Sequence, residues 1–152
     1  MTAVGIDTHK RTLAACAIDG VGRVLGERTF PTDPDGLAGL VAWVAEVAPG
    51  AVVGIEGSSS YGAPAARALH AAGVDVREIP PHLSRRERPR TRRAGKSDPG
   101  DALAIARVTL REPDLPPVRL EDPTEELGLL ADAREELVTA QTRARNRLHA
   151  HL

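Results

Sequence analysis

The chain has 152 residues, of which 41% are hydrophobic and 27% charged, and a formal net charge of −1. These values suit one domain with an appendage, and its single Phe, Trp and Tyr argue against a base-stacking surface for single-stranded nucleic acid. No stretch approaches the roughly 20 apolar residues of a membrane span, no signal peptide is visible, and the lone Cys16, interpreted as a buried inert thiol, excludes a disulfide framework. We therefore expect a cytoplasmic protein with no membrane partner.

The first thirty residues predict three consecutive strands, at 3–7, 12–18 and 24–30, with hairpin chemistry at Asp19-Gly20. Asp33 followed by Pro34 predicts a capped helix that ends near 47. The remaining predictions are a strand at 51–56, a helix at 64–72, a strand at 74–79, a helix at 99–111 and a long helix capped by Asp122 that runs to the chain end.

This order of elements predicts an α/β fold of the ribonuclease H-like type. We expect a five-stranded mixed sheet with flanking helices and a C-terminal extended helix. The predicted domains are a carboxylate domain at 1–112, a Pro-rich linker at 113–121 and a helical or coiled-coil segment at 122–152. The last helix has no terminator, which predicts either a longer protein or a partner helix from another copy.

Four carboxylates occupy three short motifs of this layout. Asp7 ends the first strand, Glu56 ends the fourth, and Asp98 and Asp101 open the helix at 99–111. In the predicted topology the first and fourth strands are neighbours, so these acids converge. Such a cluster repels itself unless a cation lies within it, and carboxylates grouped in this way typically hold magnesium for phosphoryl chemistry.

Each of these acids also has a purely structural interpretation. Asp7 fits a turn in which it accepts backbone hydrogen bonds, and Glu56 fits the solvent-facing edge of a sheet. Asp98 and Asp101 fit an ordinary helix start, as cap and first-turn acid. Only the three motifs together favour a shared site.

A basic block precedes the Asp98 motif and predicts a loop, mobile over about 84–94 without nucleic acid. Nucleic-acid phosphate is its natural counterpart, although a solvated loop is the simpler alternative. Its cations, with Lys10 beside Asp7, are the candidate nucleic-acid contacts: Arg85, Arg86, Arg88, Arg90, Arg92, Arg93 and Lys96.

Three motifs resemble those of the DEDD transposases of the insertion-sequence group numbered one hundred and ten. The matching segments are Gly5-Ile6-Asp7-Thr8-His9-Lys10, Glu56 with Tyr61-Gly62, and Lys96-Ser97-Asp98-Pro99-Gly100-Asp101-Ala102. The resemblance extends to the tail at 146–152 and covers essentially the whole chain.

The resemblance implies a Holliday-junction-resolvase-like ribonuclease H domain. It also implies that Asp7, Glu56, Asp98 and Asp101 are catalytic ligands of Mg²⁺, for which Mn²⁺ can substitute. It further implies a bacterial, DNA-binding and RNA-binding enzyme domain that recombines DNA, is guided by a structured RNA and shares active sites between subunits. The family's serine nucleophile lies in a C-terminal domain, and we assign that role to no serine here. We therefore expect metal and nucleic-acid binding but no complete recombination by this chain alone. Ser59 stands where the family often has glycine.

Two other functions fit the sequence. One is a fragment of a sugar kinase or actin-like ATPase, which also opens with Gly-Ile-Asp but needs a second domain and a glycine-rich adenosine motif. The other is a non-catalytic nucleic-acid-binding and dimerisation module, with a homo-oligomer formed through the C-terminal helix. The heptad of that helix is imperfect, because Arg134 and Gln141 fall in its seam.

Overall fold

The computed structural model describes residues 1–87, 99–120 and 125–149. Contacts divide the chain into two compact units, Met1–Leu120 and Glu121–Leu152. The elements are β1 (Ala3–Thr8), β2 (Thr12–Ile18), β3 (Val24–Pro31), α1 (Pro34–Val47), β4 (Val52–Ile55), α2 (Ala63–Ala71), β5 (Asp75–Glu78), α3 (Pro81–Glu87), α4 (Pro99–Arg111) and α5 (Glu125–His149).

The five strands form one mixed sheet in the order β3-β2-β1-β4-β5. The first three strands are antiparallel neighbours, whereas β4 and β5 run parallel to β1. The predicted fold class is therefore confirmed, and β1 and β4 are central neighbours whose C-terminal ends meet at one edge of the sheet. Asp33 caps α1 as predicted, since its carboxylate accepts from the Gly36 amide at 2.8 Å.

The two faces of the sheet are covered by different helices. Val4 and Ile6 of β1 belong to the larger hydrophobic cluster, which includes residues of α1 and α2. Ala3, on the alternate face, packs with Ala102 and Ala106 of α4. A Cβ at Gly5 would overlap the Ala102 carbonyl and the Ala106 nitrogen, so α4 lies directly on the backbone of β1.

Cys16, on the α4 face of β2, is buried as expected. Burial raises the pKa of its thiol to about 12, and the negative charge of Glu27 adds to the rise. The thiol is therefore protonated at neutral pH and is not a nucleophile in the native fold.

The prediction of a loop at the start of the basic block is wrong, because Pro81–Glu87 forms helix α3. Leu83 packs against the cluster of Ile79, Ile105, Val108 and Leu115, and Ser84 is fully buried. Tertiary packing thus stabilises a short helix that shows no apolar periodicity in the sequence. The rest of the segment predicted to be mobile, 88–94, lies outside the described residues.

Residues 113–120, predicted as a linker, pack along the free edge of β5. The Glu78 amide donates to the Pro116 carbonyl at 2.9 Å, the Val118 amide donates to the Val76 carbonyl at 3.3 Å, and Arg77 forms a bridge with Pro117. The segment therefore covers an edge that would otherwise be open to another strand.

The second unit is described from residue 125 by helix α5, so the predicted cap Asp122 lies outside the described residues. Its side chains at Leu130, Leu137 and Val138 are exposed. Within the described ranges, no helix is both long and apolar enough to cross a membrane.

Candidate carboxylate site

Asp7 and Glu56 lie side by side at the C-terminal ends of β1 and β4. Ile6 pairs with Ile55 in parallel register, and the Glu56 amide continues this pairing by donating to the Ile6 carbonyl at 3.4 Å. Neighbouring strands are about 4.8 Å apart and side chains alternate between faces. The Asp7 and Glu56 side chains therefore lie on the same face of the sheet, the one covered by α4.

The Asp7 carboxylate is largely buried, and the residue is only 8% exposed. Its Oδ2 lies 3.1 Å from Nε2 of His9, whose side chain is 44% exposed. The β1–β2 turn holds His9 in place, because its amide donates to the Thr12 carbonyl at 2.9 Å. The buried Asp7 carboxylate is thus in contact with a side chain that reaches solvent.

Glu56 is fixed through both its backbone and its carboxylate. Thr8 Oγ1 donates to the Glu56 carbonyl at 2.9 Å, which ties the ends of the two central strands together. Ser84 Oγ on α3 donates to Glu56 Oε2 at 2.6 Å. The side chain of Glu56 is therefore oriented by a neighbouring helix.

A further carboxylate, Glu78, supports the turn that follows Glu56. It accepts hydrogen bonds from the Gly57 amide at 3.2 Å, the Ser58 amide at 3.1 Å and the Ser58 hydroxyl. Burial raises the pKa of Glu78, these hydrogen bonds lower it in part, and the charge of Glu56 raises it further. The turn also needs glycine at position 57, where φ is +75°.

Asp101 lies in the first turn of α4. The next residue, Ala102, lies over Gly5 and lines a cleft of about 240 Å³ together with His9. Because His9 contacts Asp7, this cleft places the N-terminal turn of α4 at the Asp7 end of the sheet.

The structure thus places Asp7 and Glu56 at the ends of adjacent strands, and Asp101 in the first turn of the helix that covers the same face. Asp98 lies outside the described residues. Among residues 1–87, 99–120 and 125–149, no group of three or more His, Cys, Asp or Glu side chains is arranged to hold a metal ion. The four-acid site therefore stays a prediction, with the pair on β1 and β4 as its structural basis.

Three of the predicted nucleic-acid contacts are described. Lys10 is exposed in the β1–β2 turn, and Arg85 and Arg86 are exposed on α3, beside the buried Ser84. The other five lie outside the described residues: Arg88, Arg90, Arg92, Arg93 and Lys96.

The sequence predictions missed Glu78 and Ser84. Glu78 had a detectable signal, since it closes a parallel strand beside β4, much as Glu56 follows β4 itself. Ser84 had none, because it stands among arginines and its contact with Glu56 spans 28 residues of sequence.

The strand order, the crossing of α4 over β1 and the acids at the ends of β1 and β4 define a ribonuclease H-like fold. RuvC of Thermus thermophilus in complex with a Holliday junction substrate has a similar structure, with a TM-score of 0.54 and 19% identity over 78% of this chain and 99% of that chain. A second structure of Thermus thermophilus RuvC has a TM-score of 0.54 and 21% identity, over 78% of this chain and 100% of that chain. The large terminase nuclease from thermophilic phage G20c has a TM-score of 0.51 and 16% identity, over 70% of this chain and 80% of that chain.

The family model DEDD_Tnp_IS110, described as Transposase, matches residues 4–152, and the chain therefore belongs to this transposase family. The resemblance drawn from the three motifs is confirmed at the level of the family. No curated protein matches the chain.

Proposed function

We propose that this chain is the divalent-metal-binding domain of a DNA transposase that cleaves and rejoins DNA strands. The observation that carries the proposal is the pairing of Asp7 and Glu56 at adjacent strand ends on one face of the sheet. Two neighbouring carboxylates repel each other in a partly buried site. A bound cation removes that cost, so the arrangement favours a metal-binding role over a merely structural one.

The donor set fits Mg²⁺, and Mn²⁺ as its substitute. Asp7, Glu56 and Asp101 offer only carboxylate oxygens, the ligands that these hard cations prefer, and Asp98 would complete the set. When bound, the metal supplies Lewis-acid stabilisation of charge on a phosphate. The carboxylates hold and orient, and none of them serves as the nucleophile.

DNA is the proposed substrate. The family is described as transposases, and one structure with this fold contains a Holliday junction. On this chain, Lys10, Arg85 and Arg86 supply exposed positive charge on the turn after Asp7 and on the helix that contacts Glu56. These cations would hold the phosphate backbone beside the acids.

The proposal has three further parts: guidance by a structured RNA, a homo-oligomer formed through the C-terminal helix, and a serine nucleophile from another domain. They rest on the resemblance of the three motifs to the family.

The proposal predicts that a divalent cation strengthens DNA binding through Asp7. We expect Mg²⁺ to tighten binding of a fluorescent four-way DNA junction by at least about tenfold, which corresponds to about 1.4 kcal/mol, since the cation cancels the repulsion between the acids and phosphate. Asp7→Asn should abolish this dependence on Mg²⁺. Fluorescence anisotropy at fixed ionic strength measures both affinities.

Asp75→Asn is the matched control, because Asp75 is an exposed acid at the opposite end of the sheet, paired with Arg77 at 2.7 Å. It should respond to Mg²⁺ as the wild type does. An equal response of the wild type and Asp7→Asn would refute the metal site. DNA binding that ignores Mg²⁺ in every variant would instead favour a non-catalytic binding module.

A further inference from the structure

Ser84 is a buried polar residue on the inner side of α3, with no exposed surface. Its Oγ lies 2.6 Å from Glu56 Oε2 and 3.2 Å from the Pro81 carbonyl. A hydroxyl has a single hydrogen to donate. The shorter distance and the negative charge of the acceptor assign that hydrogen to Glu56.

This hydrogen bond is compatible with a metal on the same carboxylate. An ionised carboxylate offers about four acceptor positions on two oxygens, and Ser84 occupies one of them, on Oε2. Its effect is to select one rotamer of a flexible glutamate. The entropy of ordering Glu56 is then lost on folding and not on metal binding.

Helix α3 is itself held firmly against the domain. Leu83 packs into the cluster of Ile79 and Ile105, and Glu87 accepts from Arg111 of α4 at 2.8 Å. The Ser84 hydroxyl is therefore presented by an anchored element. The same helix carries the exposed Arg85, one residue further along the chain.

We propose that Ser84 is a positioning residue that orients Glu56 for the divalent cation and links the arginine-bearing helix α3 to the carboxylate site. This inference rests on the proposed metal-binding function. Loss of such an outer-shell hydrogen bond typically costs 10–100-fold in metal affinity. Ser84 adds no ligand of its own and acts only through Glu56.

The test is direct Mn²⁺ binding to the 152-residue chain, measured by the electron paramagnetic resonance signal of the free aqueous ion. We expect Ser84→Ala to weaken Mn²⁺ binding by about tenfold or more, while thermal unfolding without metal shows that the fold is retained. Ser84→Cys fills the same space with a weaker donor and should give an intermediate affinity, which serves if the alanine variant does not fold.

Thr109→Val is the matched control. The Thr109 hydroxyl is also buried on the α4 face, but it donates at 2.8 Å to the Ile105 carbonyl of its own helix. Its loss should leave Mn²⁺ affinity within about twofold of the wild type.

Equal Mn²⁺ affinity of Ser84→Ala and the wild type, with binding abolished by Asp7→Asn, would overturn the role of Ser84 and leave the proposed function standing. A loss in Thr109→Val as large as in Ser84→Ala would also overturn it, because any buried hydroxyl would then matter equally. Wild-type protein that binds no Mn²⁺, or binds it equally well with Asp7→Asn, would refute the proposed function itself.

Discussion

Acids at the C-terminal edge of the sheet have different surroundings because their side chains lie on different faces. Glu78 follows Val76 by two residues and so lies on the face of α1 and α2. Asp7 and Glu56 share the face of α4 with a cleft lined by His9 and Ala102. Glu78, on the next strand, is engaged by the turn at Gly57 and Ser58. Proximity to the edge is therefore insufficient to make a carboxylate a candidate ligand.

Glu78 makes a prediction about stability and pH. Its pKa is raised in the folded protein, chiefly by burial, so the native state binds this proton more tightly than the unfolded chain does. The contribution of Glu78 to the free energy of unfolding is therefore most favourable below the unfolded pKa, about 4.3, and declines as pH rises through the higher native pKa. Glu78→Gln should lose this decline.

Urea unfolding between pH 4 and pH 7.5 measures the effect as a difference in pH dependence from the wild type. Glu46→Gln, the same change at an exposed position of α1, controls for the loss of one carboxylate. Identical pH profiles of the wild type and Glu78→Gln would contradict the raised pKa.

At the scale of elements, much of the sheet could be predicted because its signals are local. Asp19 and Gly20 predict the hairpin, and Asp33 before Pro34 predicts the start of α1, since a turn and a cap each depend on a few consecutive residues. Helix α3 could not be predicted, because its stability depends on packing of Leu83 and burial of Ser84 against distant elements.

The candidate site, too, could be predicted from the sequence only in part. Asp7 and Glu56 could be predicted as neighbours, since the topology alone brings the ends of β1 and β4 together. The support from Ser84 and Glu78 depends on side-chain directions across 28 and about 20 residues of sequence, and no local pattern encodes these directions.

Two glycine substitutions should have opposite effects on stability, because Gly5 lies in the contact between β1 and α4 and Gly39 lies within α1. Gly5→Ala places a Cβ against the backbone of Ala102 and Ala106, and we expect it to lower the free energy of unfolding by about 3 kcal/mol. Gly39→Ala adds a methyl group to α1, where it makes an ordinary van der Waals contact with Phe30 of β3. It should stabilise the protein by up to about 1 kcal/mol through helix propensity. Urea denaturation measures both, and a neutral Gly5→Ala would show that α4 is not held against β1.

For the whole molecule, charge distribution matters more than the net charge of −1. Arg85 and Arg86 are exposed on the helix that contacts Glu56, so DNA bound at the carboxylates would lie within reach of positive charge. Because each phosphate contact releases counterions, binding should weaken steeply as salt increases.

The double variant Arg85→Ala, Arg86→Ala should therefore reduce the slope of log affinity against log salt by about one to two. Arg23→Ala is the control, since Arg23 is exposed near the hairpin at the other end of the sheet. Fluorescence anisotropy across a salt series measures both slopes. Equal slopes for the wild type and the double variant would exclude Arg85 and Arg86 from the DNA interface.

The most direct measurement is anomalous scattering from a crystal of the wild-type chain soaked in Mn²⁺. We expect at least one manganese peak within about 2.3 Å of a carboxylate oxygen of Asp7 and of one of the other three acids, with Glu56 as the first candidate. A peak elsewhere, or none at saturating Mn²⁺ where lattice neighbours leave this edge of the sheet open, would contradict a metal site between β1 and β4.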